Sequence, residues 1–451
     1  MTFSILLSQL VDLVAATPVN LTAELLATTA TGISTDTRSL KPGQIFLALR
    51  GENFDGHRFV TSALAQGAIA AITDHPLAEE QPQLVVADTL VAYQQLGRWW
   101  RDQLTIPVIA VTGSVGKTTT KELIAGVLGQ FGSVLKTQAN YNNEIGVPKT
   151  LLELTRDHAY AVIEMGMRGQ GEIACLAQIA RPDIAVITNV GTAHIGRLGS
   201  RAAIAAAKCE LLAELPLTSA AVLNADNPLL LATAATVWQG PTLTYGLEAG
   251  DLQGHYLDDQ TIEVAGIRLP LPLPGQHNAL NYLAAIGVAK LLNLDWAPLQ
   301  QGLQITLPDG RARRYEVGAD LVLLDETYNA GPESMTAALR LLANTPGQRR
   351  IAVLGAMKEL GNYALELHQQ LGQTAQQLGL DALFILDAGP EGEAIAKGAL
   401  PLSAQLFDTH QALSEALQAF VQPGDRLLFK ASHSVGLQQV VVSLRAALAK
   451  E

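Results

Sequence analysis

Residues 106–113, IPVIAVTG, form a nearly unbroken apolar run that stops on a glycine, and runs of the same shape recur along the chain. AYAVIEMG, DIAVITNV and SAAVLNAD follow it, separated by helical stretches, with a long helix expected over 200–215. Strands apolar at nearly every position, alternating with helices, predict a parallel sheet covered on both faces. Ahead of them, GQIFLAL, AIAAIT and QLVVA are short apolar runs broken by turn residues, which predicts a small α/β domain over 1–105. The segment GIRLPLPLPGQHNALNYLAAIGVAKLL passes from a proline-punctuated extended piece into a helix and closes a central unit over 106–310. LPDGRARRYEV, basic and turn-rich, reads as the linker. DLVLLDETYN, RIAVLGAM, ALFILDA and DRLLFKAS then renew the β–α rhythm and predict a second open α/β sheet over 311–451.

Near the start, Phe3, Leu6, Leu7, Leu10 and Val14 recur at helical spacing with Ser8, Gln9 and Asp12 between them. This predicts an amphipathic helix and not a signal peptide, so a cytoplasmic protein without stable membrane association is expected. A chain of 451 residues exceeds one hydrophobic core, consistent with several domains. Its net charge of −12 argues against nonspecific nucleic-acid binding but leaves room for a local cationic site that takes small anions. Cys175 and Cys209 lack the spacing of a zinc site, and a reduced compartment is the simpler reading.

The chemistry starts at AVTGSVGKTTTKELIAGVL. Gly113, Ser114, Val115, Gly116, Lys117, Thr118 and Thr119 join a strand to a helix. Glycines let backbone N–H groups turn onto phosphate oxygens, and the helix adds the positive end of its dipole. Lys117 can neutralise β/γ-phosphate charge and the Thr118 hydroxyl can ligate Mg²⁺. The first glycine of the usual phosphate-loop pattern is replaced by Val111, so the loop is a compact variant. No guanine-selective N-K-x-D motif occurs, which favours ATP. The expected fold is therefore α/β in three domains: a small N-terminal α/β domain, a central P-loop-type mostly parallel sheet flanked by helices, and a C-terminal Rossmann-like domain.

Together with NYNNEIGVP, VIEMG, NVGTAHI, AKCEL, PGQHNALN, DGR and DETYNA, in that order over nearly the whole chain, this loop resembles the Mur ligase family. The resemblance implies a cytoplasmic, ATP-dependent, amide-forming enzyme of peptidoglycan precursor synthesis. STDTRSLKPGQIFLALRGENFDGHRF, and NNEIGVPKTLL combined with DETYNAGPESMTAAL, resemble the branch that joins D-alanyl-D-alanine to a UDP-N-acetylmuramoyl-tripeptide. The expected partners are these small molecules, with no nucleic acid and a monomeric chain. Such chemistry needs an acyl phosphate, because a free carboxylate has no adequate leaving group; phosphoryl transfer in turn needs positioning and charge neutralisation.

By the resemblance, Glu164 at a strand end, His194 just past another, Lys208 and Thr118 form the metal set for Mg²⁺, with Mn²⁺ as a substitute. Lys117, Glu164, His194 and Lys208 are the catalytic residues. Read from residue type alone, Glu164 could equally be a satisfied strand-end acid, His194 a structural histidine, and Lys208 a surface lysine on an alanine-rich helix. The family implies that Lys208 is carbamylated and acts as a carboxylate. Asn278 and Asn281, beside His277, would approach the adenine or ribose, although Asn278 could serve only as an N-cap. Arg311, with Arg313 and Arg314 as competitors, would reach the γ-phosphate when the last domain closes, and Asp325 and Asn329 would contact ATP.

Ser34, Thr35, Asp36, Thr37 and Arg38 offer hydroxyls, a carboxylate and a guanidinium in one turn, joined by Asp55, His57 and Arg58; by residue type alone this reads as a polar loop on a solvated face, and the resemblance implies the sugar-nucleotide site. Asn140, Asn142 and Asn143 crowd a loop that could merely form turns; the resemblance implies contacts to phosphates or substrate. Tyr328 would bind substrate or could equally be packing, and the FKASH motif assigns Lys430, Ser432 and His433 to the amine donor by the resemblance. His433 stands where the family usually has arginine, and Gly331 where asparagine is common, so the donor end departs from the pattern. Two alternatives remain: a sibling ligase that adds one amino acid, and a noncatalytic nucleotide switch.

Overall fold

The computed structural model describes residues 2–77, 80–318 and 320–448, and its three main sheets follow one another along the chain. The first is five-stranded, in the order Thr17–Val19, Gln83–Val85, Ala70–Thr73, Ile45–Leu47, Ile33–Ser34. Only the pairing of Thr17–Val19 with Gln83–Val85 is antiparallel. The predicted N-terminal helix is shorter than its pattern suggests: Ile5–Leu6 is a strand paired with Thr29–Ala30, and the helix spans Leu7–Leu13. Phe3, Leu7, Leu10 and Val14 are buried as the pattern implied, whereas Leu6, on the strand, points out to solvent. The β pairing consumes the backbone groups that an earlier helix start would have needed.

The central sheet has nine strands, in the order Val134–Lys136, Tyr160–Glu164, Val108–Thr112, Ile184–Ile187, Ala220–Asn224, Thr242–Gly246, Leu252–Asp258, Thr261–Val264, Ile267–Pro270. The first seven are parallel, and the last three form an antiparallel meander of which the sequence reading recognised only the final extended piece. Val108–Thr112 is third in the sheet, paired on both sides, and fully buried. Side chains alternate across a strand, so Ile109 and Val111 enter one core and Val108 and Ala110 the other. One face is covered by the helices Lys117–Leu128 and Gln276–Leu291; the other by Gly146–Leu152, Glu172–Ala180 and Arg201–Ala213.

The helix Thr89–Asp102 follows the first sheet but packs against Gly146–Leu152 and Glu172–Ala180, the helices that cover the central one. Gly97 lies so close to Pro148 that an added Cβ would sit 2.8 Å from its ring. Trp100 donates to the Leu154 carbonyl at 2.9 Å, and Arg101 binds the Ala180 and Arg181 carbonyls and the Asp183 carboxylate. This helix fastens the first unit to the second.

The last sheet has six strands, in the order Arg313–Val317, Leu321–Asp325, Asp425–Lys430, Arg349–Gly355, Ala382–Leu386, Ala404–Leu406. Here a second expectation is corrected. Half of the presumed linker, Arg313–Val317, is an edge strand pairing antiparallel with Leu321–Asp325, leaving only the turn before it as a connection. The remaining pairs are parallel and bring Asp325, Gly355 and Lys430 to one edge. No described helix is long and apolar enough to cross a membrane.

Candidate functional site

Gly116, with φ 82°, caps the helix Lys117–Leu128, and Gly113 has φ 153°. Both positions exclude side chains. A Cβ on Gly113 would lie 1.9 Å from Thr188 Oγ1, and one on Gly116 would lie 2.6 Å from Asn281 Oδ1. The loop is fastened from behind by the end of the neighbouring strand. Thr188 Oγ1 and Asn189 Nδ2 donate to the Val115 carbonyl at 2.7 and 2.9 Å, and Val115 N–H donates to Asn189 Oδ1 at 3.0 Å. Ser114 Oγ accepts from Gly191 N–H at 2.9 Å. Thr188 and Asn189 were not singled out in the sequence, although Asn189 stands in the NVGTAHI motif. Their bonds fix the cradle from within the protein, as preorganised anion recognition requires.

Lys117 Nζ folds back onto the Gly113 carbonyl at 2.7 Å. Burial lowers its pKa below the usual lysine value, opposed by Glu164 and reinforced by Arg311. Glu164 lies beside Val111 in the adjacent strand, at the same sheet edge as the loop. Its Oε1 accepts from Asn142 Nδ2 at 2.8 Å, and its N–H is held by Thr137 Oγ1. Its Oε2 is buried without a hydrogen-bond partner among the described residues, and Lys121 Nζ lies 4.0 Å away. Lys121 is itself fully buried against Glu122 and the Thr137 carbonyl.

His194 adopts φ 65° at the start of the short helix Ile195–Leu198. Burial lowers its pKa, with Lys117 and Lys208 adding to the effect and Glu359 opposing it. Its Nδ1 meets Glu359 Oε2 at 2.5 Å. Lys208 is buried on the helix Arg201–Ala213, and its ammonium makes no hydrogen bond among the described residues. Burial drives its pKa well below 10.5, and Lys117 pushes it further the same way. Lys117, Glu164, His194 and Lys208 therefore share one electrostatic neighbourhood. Thr118, on the first helical turn behind Lys117, is also buried, and its hydroxyl makes no hydrogen bond among the described residues. An orphaned carboxylate oxygen, an imidazole held at one nitrogen only and a free hydroxyl suit a hard divalent cation.

Asn278 and Asn281 are both buried and turned inward. Asn278 Nδ2 donates to the Pro274 carbonyl at 2.7 Å, and Asn281 Oδ1 accepts from Thr120 Oγ1 at 3.1 Å. They support the loop from below. His277, one residue earlier, is half-buried, and burial lowers its pKa.

From the last sheet, Arg311 lies over the Tyr328 ring at 4.0 Å, and Tyr328 packs against His433 at 5.8 Å between ring centres. Arg311 Nε is buried and has no hydrogen-bond partner among the described residues. Lys430 Nζ donates to the Asn329 carbonyl at 2.9 Å, and its pKa is lowered by burial and, more weakly, by Arg311. Asp325 Oδ1 accepts from the Thr327 hydroxyl at 2.6 Å, Asn329 Oδ1 accepts from Ala330 N–H at 2.9 Å, and Ser432 Oγ accepts from Lys358 N–H at 2.9 Å. Arg311 acts electrostatically on both Lys117 and Lys430, so the two sheets present their cations to one cleft. Arg313 and Arg314 instead pair with Asp309 and Glu316 on the surface.

Two acids from the last unit grip the loop that carries His194, and neither was anticipated. Glu333 binds Thr192, and Glu359 binds His194 and lies 3.5 Å from Arg197. Tyr363 OH donates to the Gly199 carbonyl at 3.1 Å. Gly191 and Gly196 allow this approach: a Cβ on the former would meet Glu333 Cδ at 2.6 Å, and one on the latter Gly361 N at 2.5 Å.

In the first unit, Arg38 is not free. Its guanidinium is taken by Asp36 at 2.7 Å, and these bonds hold the Asp36 carboxyl down at about 2. Ser34 Oγ donates to the Asp36 carbonyl at 2.9 Å, and Thr35 and Thr37 flank it half-exposed. Lys149 also acts on Asp36 and lies over the Tyr141 ring at 4.0 Å, so this turn faces the loop bearing exposed Asn140 and Asn143. His57 is buried with both ring nitrogens engaged, Nδ1 to Asp55 and Nε2 to Asp74 N–H; Arg58 is exposed.

The chain matches the Mur ligase middle domain over residues 111–289, the Mur ligase glutamate ligase domain over 310–433, and the Mur ligase family catalytic domain over 29–96. It is 62% identical to the UDP-N-acetylmuramoyl-tripeptide–D-alanyl-D-alanine ligase of Synechocystis sp., with 92% of each chain covered. It is 36% identical to the Escherichia coli ligase of the same name over 98% of each. A crystal structure of MurF from Acinetobacter baumannii superimposes with a TM-score of 0.89 at 32% identity, covering 99% of both chains. MurF from Thermotoga maritima in complex with ADP gives 0.83 at 31% identity, covering 93% of this chain and 98% of that one. The chain belongs to the Mur ligase family.

Proposed function

We propose that the protein is an ATP-dependent ligase that joins D-alanyl-D-alanine to UDP-N-acetylmuramoyl-tripeptide, releasing ADP and phosphate, in cytoplasmic peptidoglycan precursor synthesis. One observation carries the reading. A preformed phosphate cradle, with Lys117 at its mouth, opens onto an orphaned acid and a second set of cations on the facing sheet. The likeness to ligases named for this reaction supplies the substrates.

In this reading the domains are 1–105 for the UDP-sugar, 106–310 for ATP, and 311–451 for closure and the dipeptide. The cradle and Lys117 bind the ATP phosphates, and Arg311 approaches them from the last sheet. Thr118, Glu164, His194 and Lys208, the last as a carbamate, would hold Mg²⁺ or Mn²⁺, which when bound neutralises phosphate charge. The terminal carboxylate of the tripeptide attacks the γ-phosphorus and ADP departs. The dipeptide amine then attacks the acyl carbon, and phosphate leaves from the tetrahedral intermediate. The Ser34–Arg38 turn and the Asn140–Asn143 loop hold the nucleotide end, while Tyr328, Lys430, Ser432 and His433 border the dipeptide. Closure of the last unit excludes water from the acyl phosphate. The protein acts as a monomer.

The test is coupling with ¹⁸O in the tripeptide carboxylate. One labelled oxygen must appear in the released phosphate, and release must require D-alanyl-D-alanine and not lysine or diaminopimelate. Unlabelled phosphate, or turnover with a single amino acid, overturns the reading.

A further inference from the structure

The His194 imidazole is held by a residue 165 positions away, on a different sheet. Glu359 stands in the turn after the strand Arg349–Gly355, at φ 64°. Its carboxylate meets His194 Nδ1 at 2.5 Å, and its carbonyl accepts from Gly196 N–H at 3.1 Å. Its second oxygen lies 3.5 Å from Arg197. The imidazole is thus fixed from side chain and backbone together. A carboxylate that accepts from Nδ1 fixes the tautomer, so that Nε2 carries the lone pair. Among the described residues no protein group bonds Nε2.

We propose that Glu359 is a positioning residue for His194: it orients the imidazole so that Nε2 serves the divalent cation, and it does so only while the last unit is docked. The proposal rests on the reading of His194 as a metal ligand. Its consequence is that cation affinity depends on closure, because the orienting carboxylate arrives with the moving part. The close backbone approach of Gly196 to Gly361, where either Cβ would fall within 2.8 Å of the opposing backbone, sets this docking to one geometry.

The experiment measures Mn²⁺ affinity by electron paramagnetic resonance, with a nonhydrolysable ATP analogue and the muramoyl substrate present. Wild type is compared with Glu359→Ala, Glu359→Gln, Glu359→Asp, Glu333→Ala and His194→Ala, and a thermal melt confirms that each variant is folded. Glu359→Ala is expected to weaken Mn²⁺ about 10- to 100-fold, as loss of an outer-shell partner does. Nucleotide affinity at saturating Mn²⁺ should stay near wild type, and Glu359→Asp should recover part of the loss. In a His194→Ala background, Glu359→Ala should add nothing. Unchanged Mn²⁺ affinity in folded Glu359→Ala overturns the proposal. Glu333→Ala, which weakens docking without touching the ring, should weaken Mn²⁺ in the otherwise wild-type protein and add nothing in a Glu359→Ala background; a full further loss there overturns the proposal in favour of docking alone. If His194→Ala itself leaves Mn²⁺ affinity intact, the ligand assignment falls, and this proposal with it.

Discussion

Glu333, on the first turn of the helix Pro332–Asn344, accepts the backbone N–H of Thr192 at 2.7 Å and its hydroxyl at 3.0 Å, across the cleft between the central and last sheets. A carboxylate is favoured at a helix start by the dipole and here also serves a second unit. Hydrogen bonds to a charged group are worth about 1.5–3 kcal/mol. Glu333→Ala should therefore lower kcat/KM roughly 10- to 100-fold while leaving the melting temperature within a few degrees. Small-angle scattering with ATP analogue and muramoyl substrate should show less compaction than wild type. A variant that compacts normally removes Glu333 from closure.

Gly196 offers a sharper probe of the same docking. A methyl there would meet Gly361 N at 2.5 Å and the Glu359 carbonyl at 2.8 Å, both backbone atoms that cannot turn aside. Gly196→Ala should cost at least about 10-fold in kcat/KM, since a small misplacement of reacting groups is expensive. ATP binding to the central unit should be nearly unaffected. Wild-type turnover in this variant would show that catalysis does not use the docked arrangement.

Lys208 is a buried amine with no acceptor among the described residues, and burial, reinforced by Lys117, lowers its pKa well below the ordinary lysine value, which favours the neutral form. A neutral amine attacks CO₂; the new N–C bond forms, a proton leaves, and the nitrogen ends as a carbamate anion. Labelling with ¹³C-bicarbonate should give a carbamate resonance that Lys208→Ala abolishes, together with about 10²-fold or more of kcat, comparable to losing one preorganised electrostatic group. Full activity in Lys208→Ala, or indifference of the wild type to CO₂ removal, excludes the modification.

His368 should make stability sensitive to acid. Its Nδ1 donates to the Ala364 carbonyl at 2.7 Å and its Nε2 accepts from Met357 N–H at 2.8 Å, so the ring is neutral by construction. Burial lowers its pKa in the folded protein. The unfolded chain therefore takes a proton, below about pH 6.5, that the folded one resists. Its contribution is intact above that value and is lost as pH falls, by up to about 1.4 kcal/mol per unit. Between pH 7.5 and 5.5, urea midpoints should fall more steeply for wild type than for His368→Gln. The variant should start about 1–3 kcal/mol lower from its broken bonds. Parallel slopes would clear His368.

Legibility followed from how local the determinants are. Val108–Thr112 and Glu164 could be placed from the sequence because doubly covered parallel strands are apolar throughout and the loop glycines carry their own conformational reason. Leu252–Val264 was missed because its strands lie at the polar edge of the sheet, where LQGHYLDDQTIEV offers no continuous apolar run. Arg313–Val317 was read as linker because an exposed edge strand tolerates charge. The pairing of Arg38 with Asp36 is local but needs coordinates, since the same residues could have faced a ligand. Glu333 and Glu359 sit 141 and 165 residues from their partners, and only docking of two sheets reveals them.

The bare-backbone meeting of Gly196 and Gly361 has a pharmacological side. A compact molecule lodged in that seam would behave as a wedge, holding the halves apart without entering the phosphate cradle. Its inhibition would then not be relieved by raising the nucleotide concentration, and resistance by enlarging either glycine would itself damage the enzyme.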